Sequence, residues 1–144
     1  MTVINRSALV MFSARQMYDL VNDVASYPQF LPGCVGSGIE RQDENSMVAS
    51  VVVSKGGISK SFTTCNELEP GRVIKMKLVD GPFRQLSGAW HFTPLDEQAC
   101  KVELSLDFEF SSVMVELAFG RIFKELVNAM VSAFTRRAKE VYGG

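Results

Sequence analysis

The chain has 144 residues, 47% hydrophobic and 22% charged, with a formal charge of -1. That is enough apolar material for one soluble domain over residues 1–144, and the near-neutral charge excludes the global basic field of a DNA-binding protein. No run reaches the ~20 apolar residues of a membrane-spanning helix, so any membrane contact is expected to be peripheral, at the inner membrane surface.

The opening MTVINRSALV lacks the charged start and long apolar run of a secretion signal. Cys34, Cys65 and Cys100 are odd in number and far apart, which favours reduced thiols in a cytoplasmic protein over disulfides or a metal site. Thr2 to Met11 reads as a first strand. Ser13 then opens a short helix over Ala14 to Asn22, with Met17, Leu20 and Val21 on its apolar side. A helical turn over Ser26 to Leu31 is cut by Pro32, and the glycine-rich run from Pro32 to Gly38 predicts a bent strand with bulges.

A meander follows, with strands expected over Val35 to Arg41, Met47 to Ser54, Ile58 to Leu68, Val73 to Asp80, Gln85 to Thr93 and Cys100 to Phe110. The turn clusters are Asp43-Glu44-Asn45, Lys55-Gly56-Gly57, Glu69-Pro70-Gly71, Asp80-Gly81-Pro82 and Pro94-Leu95-Asp96. Connections this short force antiparallel neighbours. Ile74, Met76 and Leu78 share one face and Lys75 and Lys77 the other. Leu86, Gly88, Trp90 and Phe92 oppose Gln85, Ser87, Ala89 and His91. In the last strand Val102, Leu104, Leu106, Phe108 and Phe110 alternate with polar residues, giving one buried face and one wet one.

The final run, Ser112 to Tyr142, predicts one amphipathic helix of about 28 residues and ~42 Å. Val115, Phe119, Ile122, Phe123, Leu126, Val127, Met130, Phe134 and Val141 fall on one side, an arc wider than the ~100° stripe that packing on a single surface requires. Ser112 is the expected N-cap, Glu116 suits the first turn, and Arg136, Arg137 and Lys139 suit the last, before Gly143-Gly144. The sum is an α+β architecture: a seven-stranded curved antiparallel sheet wrapped around a long C-terminal helix, with two short helices after strand 1. A sheet curled on one helix leaves a hollow between them, a favoured place for a ligand.

The segments Tyr27-Pro28-Gln29-Phe30-Leu31-Pro32-Gly33-Cys34 and Leu78-Val79-Asp80-Gly81-Pro82-Phe83-Arg84-Gln85-Leu86, with Gly88, Trp90-His91-Phe92 and the strand end Phe108 to Phe110, resemble the START-like coenzyme Q-binding proteins. Bacterial members of that family are also described as ribosome-association toxins. The resemblance covers essentially the whole chain and implies the helix-grip fold. It further implies a non-enzymatic protein that holds a hydrophobic ligand, ubiquinone foremost, in support of respiratory electron transport. For the bacterial branch it implies association with the large ribosomal subunit that hinders subunit joining.

Leu86, Trp90, Phe92, Phe108, Phe110, Phe119, Phe123 and Met130 are the expected ligand-binding residues, and each also suits a simple core position. Tyr27, Phe30 and Leu31, with Phe83 beside them, would form a pocket entrance or a lid that plugs one end of the grip. Lys55-Gly56-Gly57 suits either a tight hairpin or a phosphate cradle. Arg72, Lys75, Lys77 and Arg84 could form a strip for ribosomal RNA, although a solvated sheet face predicts the same pattern. His91, the only histidine, is expected on a polar face, which rules out a multi-histidine metal site and argues against a Ser-His-Asp triad. Asp107 and Glu109 share a strand face that alternates away from the hollow. The wider superfamily includes polyketide cyclase-like enzymes, but nothing here marks a nucleophile or a tuned acid, so a protein that is not an enzyme and requires no cofactor is expected.

Overall fold

The computed structural model describes residues 2–143; Gly144, expected to help end the last helix, lies outside them. The element order is β1 (Thr2–Val10), α1 (Ala14–Asn22), a 3-10 helix (Val24–Gln29), β2 (Cys34–Gln42), β3 (Ser46–Lys55), β4 (Ile58–Glu69), β5 (Val73–Asp80), β6 (Phe83–Asp96), β7 (Ala99–Phe110) and α2 (Val113–Tyr142). All seven strands join one sheet in the order β1-β7-β6-β5-β4-β3-β2, and every pairing is antiparallel. The two edge strands, β1 and β2, are linked through α1 and the 3-10 helix.

Local chemistry accounts for the element ends. Ser13 caps α1 in a reciprocal box with Gln16, and the Ser112 hydroxyl accepts the Val115 N–H at the start of α2, each satisfying a donor that the first helical turn leaves free. Gly56 and Gly57 both have positive φ, +59° and +85°, as a two-residue hairpin turn requires. Strand β2 shows the expected irregularity, with register shifts at Cys34/Gly36 and Ile39/Arg41. The three thiols are free.

Two expectations about the chain's path are corrected. Pro94-Leu95-Asp96 is not a turn: β6 runs to Asp96 and the turn falls on Glu97 and Gln98. Phe92 donates its N–H to Arg72 O on the β5 side, and Pro94 has the same parity beyond the last β5 pair, Val73 with His91. Its missing N–H therefore faces no strand, so the proline costs the ladder nothing. On α2, Val141 is 49% exposed, whereas Gly120, Val131, Ala133 and Ala138 join the buried face. Small residues count in that face because α2 packs against β1 and α1 as well as the sheet interior.

Two aromatic clusters pin α2. Phe123 lies 4.8–6.1 Å from the rings of Phe62, Phe83, Phe108, Phe110 and Phe119. Three helical turns further on, Phe134 lies 5.2–5.4 Å from Phe30, Tyr27 and Trp90. Opposite the helix, Gly88 allows the sheet to fold tightly: a Cβ there would stand 2.3 Å from Ser105 O and 2.7 Å from Leu106 Cδ1. Gly88→Ala is therefore expected to cost about 1–3 kcal/mol through forced backbone shifts, read as a lower urea midpoint; an unchanged midpoint would show that β7 yields freely.

Candidate ligand-binding site

Between the two aromatic clusters the helix and sheet do not close. The cavity there is walled by Phe123, Leu126, Val127 and Met130 of α2, by Leu86 and Trp90 of β6, and by Leu104 and Leu106 of β7. Ala49 and Val51 of β3, Phe62, Thr64 and Asn66 of β4, and Met76 of β5 complete the sheet side, while Val24, Tyr27 and Leu31 close it from the 3-10 segment. Its volume is about 70 Å³, room for a few waters. A ring with a tail therefore fits only if walls move, and the unbranched Met76 and Met130 side chains are the adaptable ones.

The structure divides the expected ligand-binding residues into two groups. Leu86, Trp90, Phe123 and Met130 line the cavity. Phe108, Phe110 and Phe119 lie in the aromatic cluster around Phe123, and Phe92 stacks on Trp90, none of them on the cavity wall. Of the expected entrance residues, Tyr27 and Leu31 border the cavity. The Tyr27 hydroxyl donates to Val21 O, and burial holds its pKa well above the usual phenol value, so it presents its ring to the space. Phe30 packs on Phe134 with the Arg137 guanidinium 5.0 Å from its ring centroid. Phe83 is a correction: it is not at an entrance but buried among Phe62, Phe108, Phe110 and Phe123. A register shift between Phe83 and Gln85 turns it to the same side as Leu86.

Sequence reasoning missed Thr64 and Asn66, two buried hydrophilic side chains on the wall. Thr64 Oγ1 donates to Asn66 Oδ1 at 2.8 Å. The signal was present in β4, where Phe62 and Leu68 have the same parity as Thr64 and Asn66 and so place all four on one face.

Outside the cavity, Arg72, Lys75 and Lys77 are exposed, and Lys75 and Lys77 make no ion pair among the described residues. Arg84 stands 3.7 Å from Glu109, and Asp107 accepts from Gln85 Nε2 at 3.0 Å; the two carboxylates lie on the outer face of the sheet, away from the cavity. His91 is exposed. No group of three or more His, Cys, Asp or Glu poised for a metal is present among the described residues, nor any helix long and apolar enough to cross a membrane.

The family described as polyketide cyclase / dehydrase and lipid transport matches residues 10–135. The chain belongs to that family. Its fold is the START-like helix grip, and the Zhui aromatase/cyclase of Streptomyces sp. R1128 superposes with a TM-score of 0.84 over 99% of this chain and 98% of that one, at 17% identity. The ribosome association toxin RatA of Vibrio cholerae is 68% identical over 143 residues, 99% of each chain. A mitochondrial coenzyme Q-binding protein, COQ10 homolog B of Xenopus laevis, is 28% identical over 143 residues, covering 96% of this chain and 59% of that protein.

Beside the cavity of this family member, a surface hollow between Pro32-Gly33 and α2 shares Leu126 with it, and Lys55 Nζ meets Glu125 Oε2 across that hollow at 2.9 Å. The Lys55 hydrogen bond and charge hold the Glu125 carboxyl below its ordinary pKa, with Arg121 adding to the effect. Because the folded-state value is the lowered one, the pairing is in place at neutral pH and is lost as the pH falls through that value. Lys55→Ala should move the Glu125 titration, followed by NMR, back toward the ordinary carboxyl value; an unmoved titration would assign the shift to Arg121.

Proposed function

We propose that this protein associates with the large ribosomal subunit in the cytoplasm and holds a hydrophobic ligand of the isoprenoid-quinone class, ubiquinone foremost, without catalysing a reaction on it. Ribosome association is carried by one observation, the 68% identity across 99% of both chains to a protein named ribosome association toxin RatA. The exposed, unpaired Lys75 and Lys77, with Arg72 and Arg84 nearby in sequence, supply cations for ribosomal RNA, where phosphate contacts provide most of the affinity. Bound there, the protein hinders subunit joining.

Quinone binding, the leading expectation from sequence, becomes the second reading. It is favoured by the cavity, whose walls are apolar except around Thr64 and Asn66, and by the 28% identity to a protein named for coenzyme Q binding. The mechanism is sequestration, with apolar walls removing the ligand from water at about 25 cal/mol per Å² buried. Any membrane contact serves ligand entry and is peripheral.

The tests are separate. Cosedimentation with isolated large subunits should weaken as salt rises, and the Lys75→Glu/Lys77→Glu double variant should bind at least about tenfold more weakly while melting normally; unaltered binding by the variant would move the contact to another face. Solvent extraction of protein purified without detergent from quinone-producing cells should yield ubiquinone by mass spectrometry, with Trp90→Ala retaining much less. An empty extract, together with no quenching of Trp90 fluorescence by added quinone, would remove the ligand from the proposal.

A further inference from the structure

Strand β4 interrupts the apolar lining of the cavity at two successive inward positions. Phe62 and Leu68 flank them as expected of a core-facing strand, yet Thr64 and Asn66 between them are hydrophilic and only 7% and 6% exposed. Buried polar groups are almost always hydrogen-bonded, and leaving one without a partner is unfavourable. The pair carries three polar hydrogens, one on the threonine hydroxyl and two on the asparagine amide. Their mutual bond uses one, the hydroxyl hydrogen donated to Asn66 Oδ1.

The two hydrogens on Asn66 Nδ2 have no acceptor among the described residues. Asn66 stands between Met47 of β3 and Met76 of β5 in the ladder, and a thioether is a weak acceptor. Among the described residues, the buried polar side-chain atom that lacks both a partner and any adjoining free space is Asn22 Oδ1. Asn66 Nδ2 therefore borders free space, and the space lined by this side chain is the cavity.

We infer that the Thr64–Asn66 pair is the polar anchor of the cavity, with Asn66 Nδ2 donating to an acceptor oxygen on the ligand. This rests on the ligand-binding reading above and adds the atoms that recognise the head group. A wall with surplus donors suits an oxygen that only accepts, the carbonyl of a quinone ring. A plain hydrocarbon or unmodified prenyl chain leaves the donors unpaired, and an alcohol or quinol brings a further hydrogen that needs an acceptor of its own. Thr64 acts as a positioning residue: by occupying Oδ1 it fixes the amide with its nitrogen side toward the cavity. A site built to hydrogen-bond an oxygen discriminates strongly against analogues that lack it.

The test uses the full chain and two probes, decylubiquinone and 1-phenyldecane, which have tails of equal length but different rings: the first carries two carbonyl and two methoxy oxygens and a methyl group, the second no acceptor oxygen. Quenching of Trp90, the single tryptophan and itself on the cavity wall, reports decylubiquinone, and displacement of decylubiquinone reports phenyldecane. Asn66→Leu should weaken decylubiquinone at least about tenfold while leaving phenyldecane unchanged or tighter. Asn66→Asp keeps the shape and replaces donors by acceptors at neutral pH; it should lose decylubiquinone there and regain it as acid restores a donor, and it supplies the answer if the leucine variant fails to fold. Equal losses of both probes, or none, would overturn the anchor while leaving the cavity as a binding site. A wild-type protein that binds neither probe would remove the cavity reading and the anchor with it.

Discussion

The placement of Phe123 at the centre of five other phenylalanine rings is the contact on which the rest of the fold depends. One of these rings comes from β4, one from the start of β6, two from β7 and one from the preceding turn of α2 itself, so burying one side chain requires the sheet to bend around the helix. Each edge-to-face pair contributes about 0.5–1.5 kcal/mol beyond the area it buries, and such pairs form only when ring orientations are fixed. Phe134 repeats the arrangement nearer the C-terminus with Tyr27, Phe30 and Trp90. Two aromatic attachments on one helix define a gap between them, and the cavity is that gap.

Most of the architecture was legible because the signals were local and periodic. Strand alternation from Ile74 to Leu78 and from Val102 to Phe110, the Gly56-Gly57 turn, the Ser13 and Ser112 caps and the wide apolar arc of α2 each follow from the residues concerned. Most strand limits lie within one or two residues of the expected ones. The errors arose where a neighbour decides the outcome. Pro94 continues a strand because β5 has already ended, and Phe83 turns inward because of the one-residue bulge between it and Gln85; neither fact is written in the adjoining sequence. Within the site, size and aromaticity mark both wall and core residues, so Trp90 could not be distinguished from Phe108 before the two clusters were placed. Thr64 and Asn66 went unnoticed for the opposite reason: as polar residues they resemble a solvent face until the parity of β4 is counted.

Strand β5 brings the two proposed activities close together. Lys75 and Lys77 point outward while Met76, between them, lines the cavity, so one strand's thickness separates the cationic surface from the ligand. The whole-chain likeness to RatA and the weaker likeness to a coenzyme Q-binding protein need not compete, since the outer and inner faces of a single strand are chemically independent. A charge change outside leaves the wall inside intact, as the alternation of a pleated strand dictates.

The position of β1 has a consequence for how the protein is made. This strand pairs with β7 alone, Thr2 with Phe108 and Val10 with Cys100, so it has no place in the sheet until the last strand exists. The β2-to-β7 meander can assemble hairpin by hairpin, but β1 must wait for β7 and then close a loop that spans the whole sheet. Contacts so distant in sequence slow folding, and an apolar strand left unpaired in the interval is open to wrong partners. Completion of the grip is thus a late, long-range event.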